Sequence, residues 1–357
     1  MWHVLNLFKS QHRSILGIDI SSTSVKILEL SKTGDQYCVE GYGRAVLPNN
    51  AMESNVIKDI DTAAACIRKV LTATGLTCKN VACAVPESSA ISKVIQINAG
   101  LTAQEIEELV VVEADKYIPY PIDEINVDFS VLGPSVKNSA MLDVLIVASR
   151  SENVNNRVDV ITQAGLVLKV VDVESYAIER ALQLLKAELP AGGDKKNIAI
   201  FDVGAVYTHL FVLHNMKMIF SREEEFGGKQ LIDLVMQHYS MEQQEALAAI
   251  EQGTLPEDYA NEVLQPFKEL ILLQVKRSLQ FFFSTSHYTF VDHIILAGGM
   301  ANIPGIAQLL QEHINIPTSI ANPFAHMNLA KTVDRESITK DAPMLMVACG
   351  LALRLIE

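Results

Sequence analysis

The apolar positions of this chain fall into two kinds of run. Residues 15–30, ILGIDISSTSVKILEL, read as an apolar strand, a tight turn of small residues after Asp19, and a second strand, which is the pattern of a β-hairpin. Residues 198–213, IAIFDVGAVYTHLFVL, repeat that layout, with Asp202 over Asp19 and Gly204 over Ser21. Two such hairpins, each opening one half of the chain, predict a duplicated, two-lobed fold. Elsewhere the period is helical. Apolar residues over 59–74 stop at Gly75, a C-cap. Thr102 with Glu105 forms a capping box for a helix to Tyr117, which Pro119 and Pro121 end. Asp172 is expected to cap a helix over about 173–189, and the loop Ala191-Gly192-Gly193-Asp194 to divide the lobes.

In the second half, helices are expected at 228–239, at 260–284 with an interruption at Pro266, and from Pro304. A buried strand at 292–297 runs into Gly298-Gly299, and a last helix begins near Pro343. Strands alternating with helices in this order predict an α/β protein.

Composition narrows the function. With 357 residues, 49% of them hydrophobic, the chain can fill more than one core. A net charge of −13 argues against a nucleic-acid binder, which needs basic surface to displace counterions, and against broad adhesion to anionic lipid. No uncharged apolar run reaches the roughly 18 residues of a membrane span. Residues 1–8, MWHVLNLF, lack the basic start and cleavage site of a signal peptide. They read as an interfacial or partner-binding element, a first strand or a frayed tail. The five cysteines form no C-x-x-C pair, so free thiols are expected rather than a zinc site.

Candidate chemistry gathers in the two Asp-led turns. Small residues at Ser21, Ser22 and Thr23 let backbone N–H groups approach phosphate oxygens, their hydroxyls add donors, and Lys26 sets a positive charge nearby. Asp19 and Asp202 are candidate Mg²⁺ ligands acting through water, because Mg²⁺ keeps much of its hydration shell. A serine-rich hairpin turn without a ligand reads the same in isolation. The second turn, with Gly204 and Ala205, would grip a triphosphate from the other side. Gly298, Gly299 and Met300 follow a buried strand and admit a flat base or ribose beside the backbone. The run Phe281-Phe282-Phe283 is expected in the core, and Glu223-Glu224-Glu225 on a solvated face.

The order of these elements resembles the actin, Hsp70 and sugar-kinase superfamily: phosphate hairpin, connecting helix (Ser175 to Leu182), second phosphate hairpin, adenosine diglycine, second connecting helix (Pro343 to Leu353). Lys26 and Thr208 stand at actin-like spacings after Asp19 and Asp202, and Gly227, Gly228 and Lys276 are similar to elements that flank the nucleoside. Within the superfamily, GIDISSTSVK, ADKYIPYPIDE, VDVESYAIERAL, FGGKQL, RSLQFFF, ILAGGMANIPG and ACGLALR resemble segments of the PilM family of type IV pilus assembly proteins, over nearly the whole chain.

That resemblance implies an α/β, actin-like two-lobe fold with an FtsA-type inserted subdomain at about 88–165, and lobes at 1–190 and 191–357. It implies ATP and Mg²⁺ as cofactors and, as partner, the short cytoplasmic N-terminal tail of a PilN-like inner-membrane protein. Other pilus platform proteins, a cytoplasmic place peripheral to the inner membrane, a role in pilus biogenesis and twitching motility, and self-association of the actin kind belong to the same expectation. Ser21 stands where the superfamily often has Gly, and Ala205 where some actins have a second carboxylate, so ATP binding is expected with at most weak ATPase activity. Glu174 is similar to the catalytic glutamate of bacterial actins that orients water, although an acidic residue also favours a helix start. A small-molecule kinase and a polymerising cytoskeletal ATPase are the other readings this fold allows.

Overall fold

The computed structural model describes residues 14–48, 50–53, 55–135 and 138–355. Residues 1–8 and the expectation attached to them lie outside this set.

The hairpin Ile15–Ile20 and Ser24–Thr33 forms in the expected register, with Asp19 opposite Lys26. Gln36–Val46 continues it antiparallel, Asn80–Val85 and Val167–Val173 add in parallel on the other side, and Asn328–Leu329 closes the far edge. Every residue of Ile15–Ile20 is buried because both faces of the sheet are covered. Leu16 and Ile18 pack with the helices Ile60–Thr74 and Ser151–Gln163, and Ile15 with Glu174–Leu182 and Met346–Ala352.

A second sheet repeats this order. Asn197–Val203 has Thr208–His214 and then Lys217–Glu224 antiparallel on one side, and His293–Ala297 and then Thr318–Ile320 parallel on the other. The duplication seen in two hairpins is therefore a duplication of whole sheets. A third, antiparallel sheet places Met141–Arg150 between Ala90–Asn98 and Ile125–Pro134. The helix Ala103–Tyr117 lays Ile106, Val110 and Ala114 on it, and Thr102 and Glu105 close the capping box as expected. After Arg150 the helix Ser151–Gln163 turns Val160 and Ile161 into the core of the first sheet.

Several local expectations are corrected. Asp172 caps no helix; it lies in the strand Val167–Val173, and the helix is Glu174–Leu182, followed by 3₁₀ turns to Glu188. Its buried carboxylate accepts from the Val173 amide at 2.9 Å and from Arg180 and Arg354 at 3.1 Å each. Near Pro266 the helical run changes character as expected: a π-helical stretch, Ala260–Leu264, gives way to the α-helix Gln265–Thr285, in whose first turn the proline's missing N–H is harmless. Pro304 stays outside Ile306–Ile314, which starts after Gly305 at φ 75°. Of the three phenylalanines, Phe282 is core, but Phe281 is 41% exposed with the Arg222 guanidinium 3.5 Å from its ring centre. All five cysteines are free. Among the described residues no helix is long and apolar enough to cross a membrane.

Between the two sheets the helices Glu174–Leu182 and Met346–Ala352 cross with their backbones almost touching. A Cβ on Gly350 would lie 1.8 Å from the Ala177 carbonyl oxygen, and one on Gly17 would lie 2.0 Å from that of Ala348. Neither backbone can retreat without moving a sheet. Gly350→Ala is therefore expected to cost about 1–3 kcal/mol or more, read as a lowered urea midpoint at unchanged m-value.

Candidate cleft at the sheet ends

In both sheets the parallel strands end on the same side, where open α/β sheets place their ligand crevice. Asp19 ends the first strand of one sheet, and Asp202 occupies the matching place in the other. Lys26 donates to Asp19 at 2.8 Å and to the Ser21 hydroxyl at 2.9 Å. The Ser21 amide and hydroxyl both donate to the Ser24 carbonyl at 3.0 Å, which closes the turn. Ser22 and Thr23 form its tip, and among the described residues their amides meet no backbone acceptor.

The second turn is closed by the Gly204 amide on the Tyr207 carbonyl at 2.9 Å. The Gly204 and Ala205 carbonyls accept from Gly228 at 3.0 Å and Lys229 at 2.7 Å, so the turn sits on the start of the helix Gly228–Tyr239. A Cβ on Gly227 would come within 2.5 Å of the Gly204 oxygen, and one on Gly228 within 3.0 Å of the Met300 side chain. Gly298, at φ 81°, lies against Asp202, since a Cβ there would be 2.4 Å from its Oδ1; beside Gly299 there is open space. The structure thus gathers Asp202, Gly204, Ala205, Gly227, Gly228, Gly298 and Met300. Lys276 stands exposed on the helix Gln265–Thr285.

Thr208 differs in orientation from what its spacing suggested. It is buried, and its hydroxyl donates to the Phe226 carbonyl at 2.8 Å. The residue opposite Asp202 in the hairpin is His209, as Lys26 is opposite Asp19. A step of one residue along a strand changes the face, so His209 is the counterpart of Lys26.

Burial and crowding set the electrostatics. Burial pushes the Glu174 carboxyl up to about 7; His209 and Arg157 oppose this, whereas Asp19 and Asp202 add to it. Burial also raises Asp202, against the pull of His209 and Lys26. His209 is raised to about 9: burial disfavours its charge, but the Glu223 carboxylate at 2.8 Å, together with Glu174 and Asp202, outweighs that cost. Arg157 is 1% exposed and donates to the Ala84 carbonyl at 2.7 Å and the Asn153 carbonyl at 3.1 Å. Its burial lowers its proton affinity, while Cys83, Glu174 and Asp19 support its charge.

Sequence reasoning missed Arg157, His209 and Glu223. Hairpin register was the signal for His209. Glu223 is not on a solvated face, because it pairs with that histidine. Carboxyl groups held above their usual range fit a divalent cation, whose charge would offset their repulsion. Among the described residues no group of three His, Cys, Asp or Glu side chains is close enough to hold an ion directly, so Asp19 and Asp202 would act through water.

Two like sheets, each led by an Asp-ended hairpin and joined by crossing helices, define an actin-like α/β protein. Its sequence matches the pattern of the type IV pilus assembly protein PilM over residues 17–356, and the chain belongs to that family. A solved PilM–PilN type IV pilus biogenesis complex contains a chain that is 25% identical, with a TM-score of 0.78, covering 96% of this chain and 99% of that one. The ethanolamine utilization protein EutJ from Carboxydothermus hydrogenoformans is 15% identical, with a TM-score of 0.58, over 95% of this chain and 89% of its own.

The raised Glu174 carboxyl gives a pH test. Its folded-state pKa of about 7 exceeds the ordinary glutamate value, so ionising it costs stability as pH rises from about 4.5 to about 7. Glu174→Gln is therefore expected to match the parent near pH 4.5 and to gain relative stability up to pH 7. The gain should level off just above pH 7 at on the order of 3 kcal/mol, as urea unfolding at stepped pH would show.

Proposed function

We propose that this chain is a nucleotide-binding component of the type IV pilus inner-membrane assembly platform, held at the membrane by a PilN-like partner. The observation that carries the nucleotide reading is the pair of facing turns. The tips at Ser22 and Thr23, and at Ala205 and Val206, leave amides without backbone acceptors among the described residues, next to Lys26. Bound ATP·Mg²⁺ would supply the charge that bridges the two turns. Ser21, Ser22, Thr23, Lys26, Gly204 and Ala205 would hold phosphate, and Asp19 and Asp202 the water shell of the metal. Gly227, Gly228, Gly298, Gly299 and Met300 would flank the nucleoside, with Lys276 at its rim; Thr208 supports the second turn through Phe226. Glu174 would orient water. Burial holds its carboxyl at about 7, in the range that suits a general base near neutral pH.

The partner fits a groove of ≈ 910 Å³ lined by Phe129, Val147, Val171, Tyr176, Glu179 and Arg180, among others. Ile125–Pro134 and Val167–Val173, each at the edge of its sheet, border it. Unpaired strand edges bind extended peptides by main-chain hydrogen bonds, with side-chain pockets giving choice of sequence. The short tail of a PilN-like protein docked there would place the chain on the cytoplasmic side, peripheral to the inner membrane and near the other platform proteins. Pilus biogenesis and twitching motility follow from that place. The lobes would meet near residue 190, with the insert at about 88–165.

Calorimetric titration with ATP·Mg²⁺ should show saturable binding that Asp19→Ala weakens about tenfold or more. No binding by the parent protein would overturn the nucleotide part and leave docking alone. Separately, Ser130→Arg on the exposed groove edge should weaken a fluorescent PilN-type tail peptide by about tenfold in anisotropy titrations; equal affinity would remove the groove from consideration.

A further inference from the structure

Lys217–Glu224, the edge strand of the second sheet, is stitched along its length to earlier parts of the chain. Lys217 Nζ and the Met218 amide donate to Glu179 of the connecting helix at 2.9 and 2.8 Å. Ser221 Oγ donates to Glu87 Oε1 at 2.7 Å. Two residues further, on the same strand face, Glu223 gathers three donors on a single oxygen. Its Oε2 accepts from Asn55 Nδ2 at 2.8 Å, Ser88 Oγ at 3.4 Å and His209 Nε2 at 2.8 Å.

The three donors come from different places. Asn55 lies between the short strands Met52–Glu53 and Val56–Ile57, at φ 64°, a left-handed conformation that asparagine tolerates. Ser88 lies just past the end of Asn80–Val85. Both belong to the first half of the chain. His209 belongs to the second half, opposite Asp202, with its ring stacked on Phe211 at 5.7 Å.

An ionised carboxylate only accepts hydrogen bonds, so His209 must carry a proton on Nε2. Glu223 thereby fixes which ring nitrogen donates and which way the ring lies. The same oxygen ties the strand to the first half by charge-assisted bonds, which are stronger than neutral ones. The seam around it is polar and not fully satisfied: Glu87 Oε2 is buried with no hydrogen-bond partner among the described residues. Polar seams of this kind join parts that move relative to one another, unlike apolar cores.

We propose that Glu223 is a positioning residue of the cleft: it orients His209 on one side and clasps the two halves of the chain on the other. The set of the histidine and the closure of the cleft are then fixed by one carboxylate. Nothing in this depends on nucleotide, because the contacts are made among the chain's own side chains; failure of the nucleotide reading would leave it standing.

The test uses the full chain without ligand. Spin labels are introduced as encoded amino acids at Lys69 and Glu312, both exposed and on opposite halves. Asn55→Ala combined with Ser88→Ala should broaden the distance distribution by roughly twofold, and Glu223→Ala at least as much. In ¹⁵N spectra the His209 Nε2–H signal should persist in the parent and in the Asn55→Ala/Ser88→Ala protein, but be lost in Glu223→Ala. Should Glu223→Ala not fold, Glu223→Gln keeps the shape and should still displace the His209 signal. Unchanged distances in the Asn55/Ser88 variant overturn the clasp. A His209 signal at the parent position after Glu223 replacement overturns the positioning role.

Discussion

Burying carboxylates where two sheets end is unfavourable unless positive charge is brought within reach, and much of this structure is arranged to bring it. Each hairpin solves the problem locally and in the same register: Lys26 lies opposite Asp19, and His209 opposite Asp202. The third acid, Glu174, has no such strand neighbour. Its cations arrive by tertiary packing, Arg157 from the helix Ser151–Gln163 and His209 from the far hairpin. Balance is still incomplete, since Glu174 and Asp202 both remain above their usual range.

That incompleteness is held in place by the helices packed between the two sheets. The crossing at Gly350 and Ala177 leaves no room for even a methyl group, so the two sheets keep a fixed separation there. At the edge, the strand Lys217–Glu224 meets the first half through polar contacts. A close-packed crossing between the sheets and a polar seam at the edge suit a cleft that opens at one edge more readily than at the other.

What the sequence disclosed follows the same division between near and far. Both hairpins, the Thr102–Glu105 box and the Gly75 cap were legible because each is decided within a few residues. Asp172 was misread because its partner Arg354 lies at the other end of the chain; alone, an Asp before a helical run looks like a cap. Arg157 carried no signal at all, since nothing local explains a buried guanidinium. Glu223 was hidden in an acidic triplet whose solvated reading is usually right. The family resemblance supplied the order of the cleft elements, but matching by spacing put Thr208 where hairpin register puts His209. One residue of slip turns a cleft cation into a buried hydroxyl bonded to Phe226.

The electrostatics also tie the candidate base to the charges around it. A general base works best when its pKa lies near the working pH and it is free to accept a proton. Glu174 is held up by burial and by the nearby Asp19 and Asp202, and His209 and Arg157 draw it toward ionisation. Adding a divalent cation between Asp19 and Asp202 would remove part of that crowding and ionise Glu174 more fully. The protonation of Glu174 therefore answers to the charge placed beside it, and Glu223, 2.8 Å from His209, bears on one source of that charge.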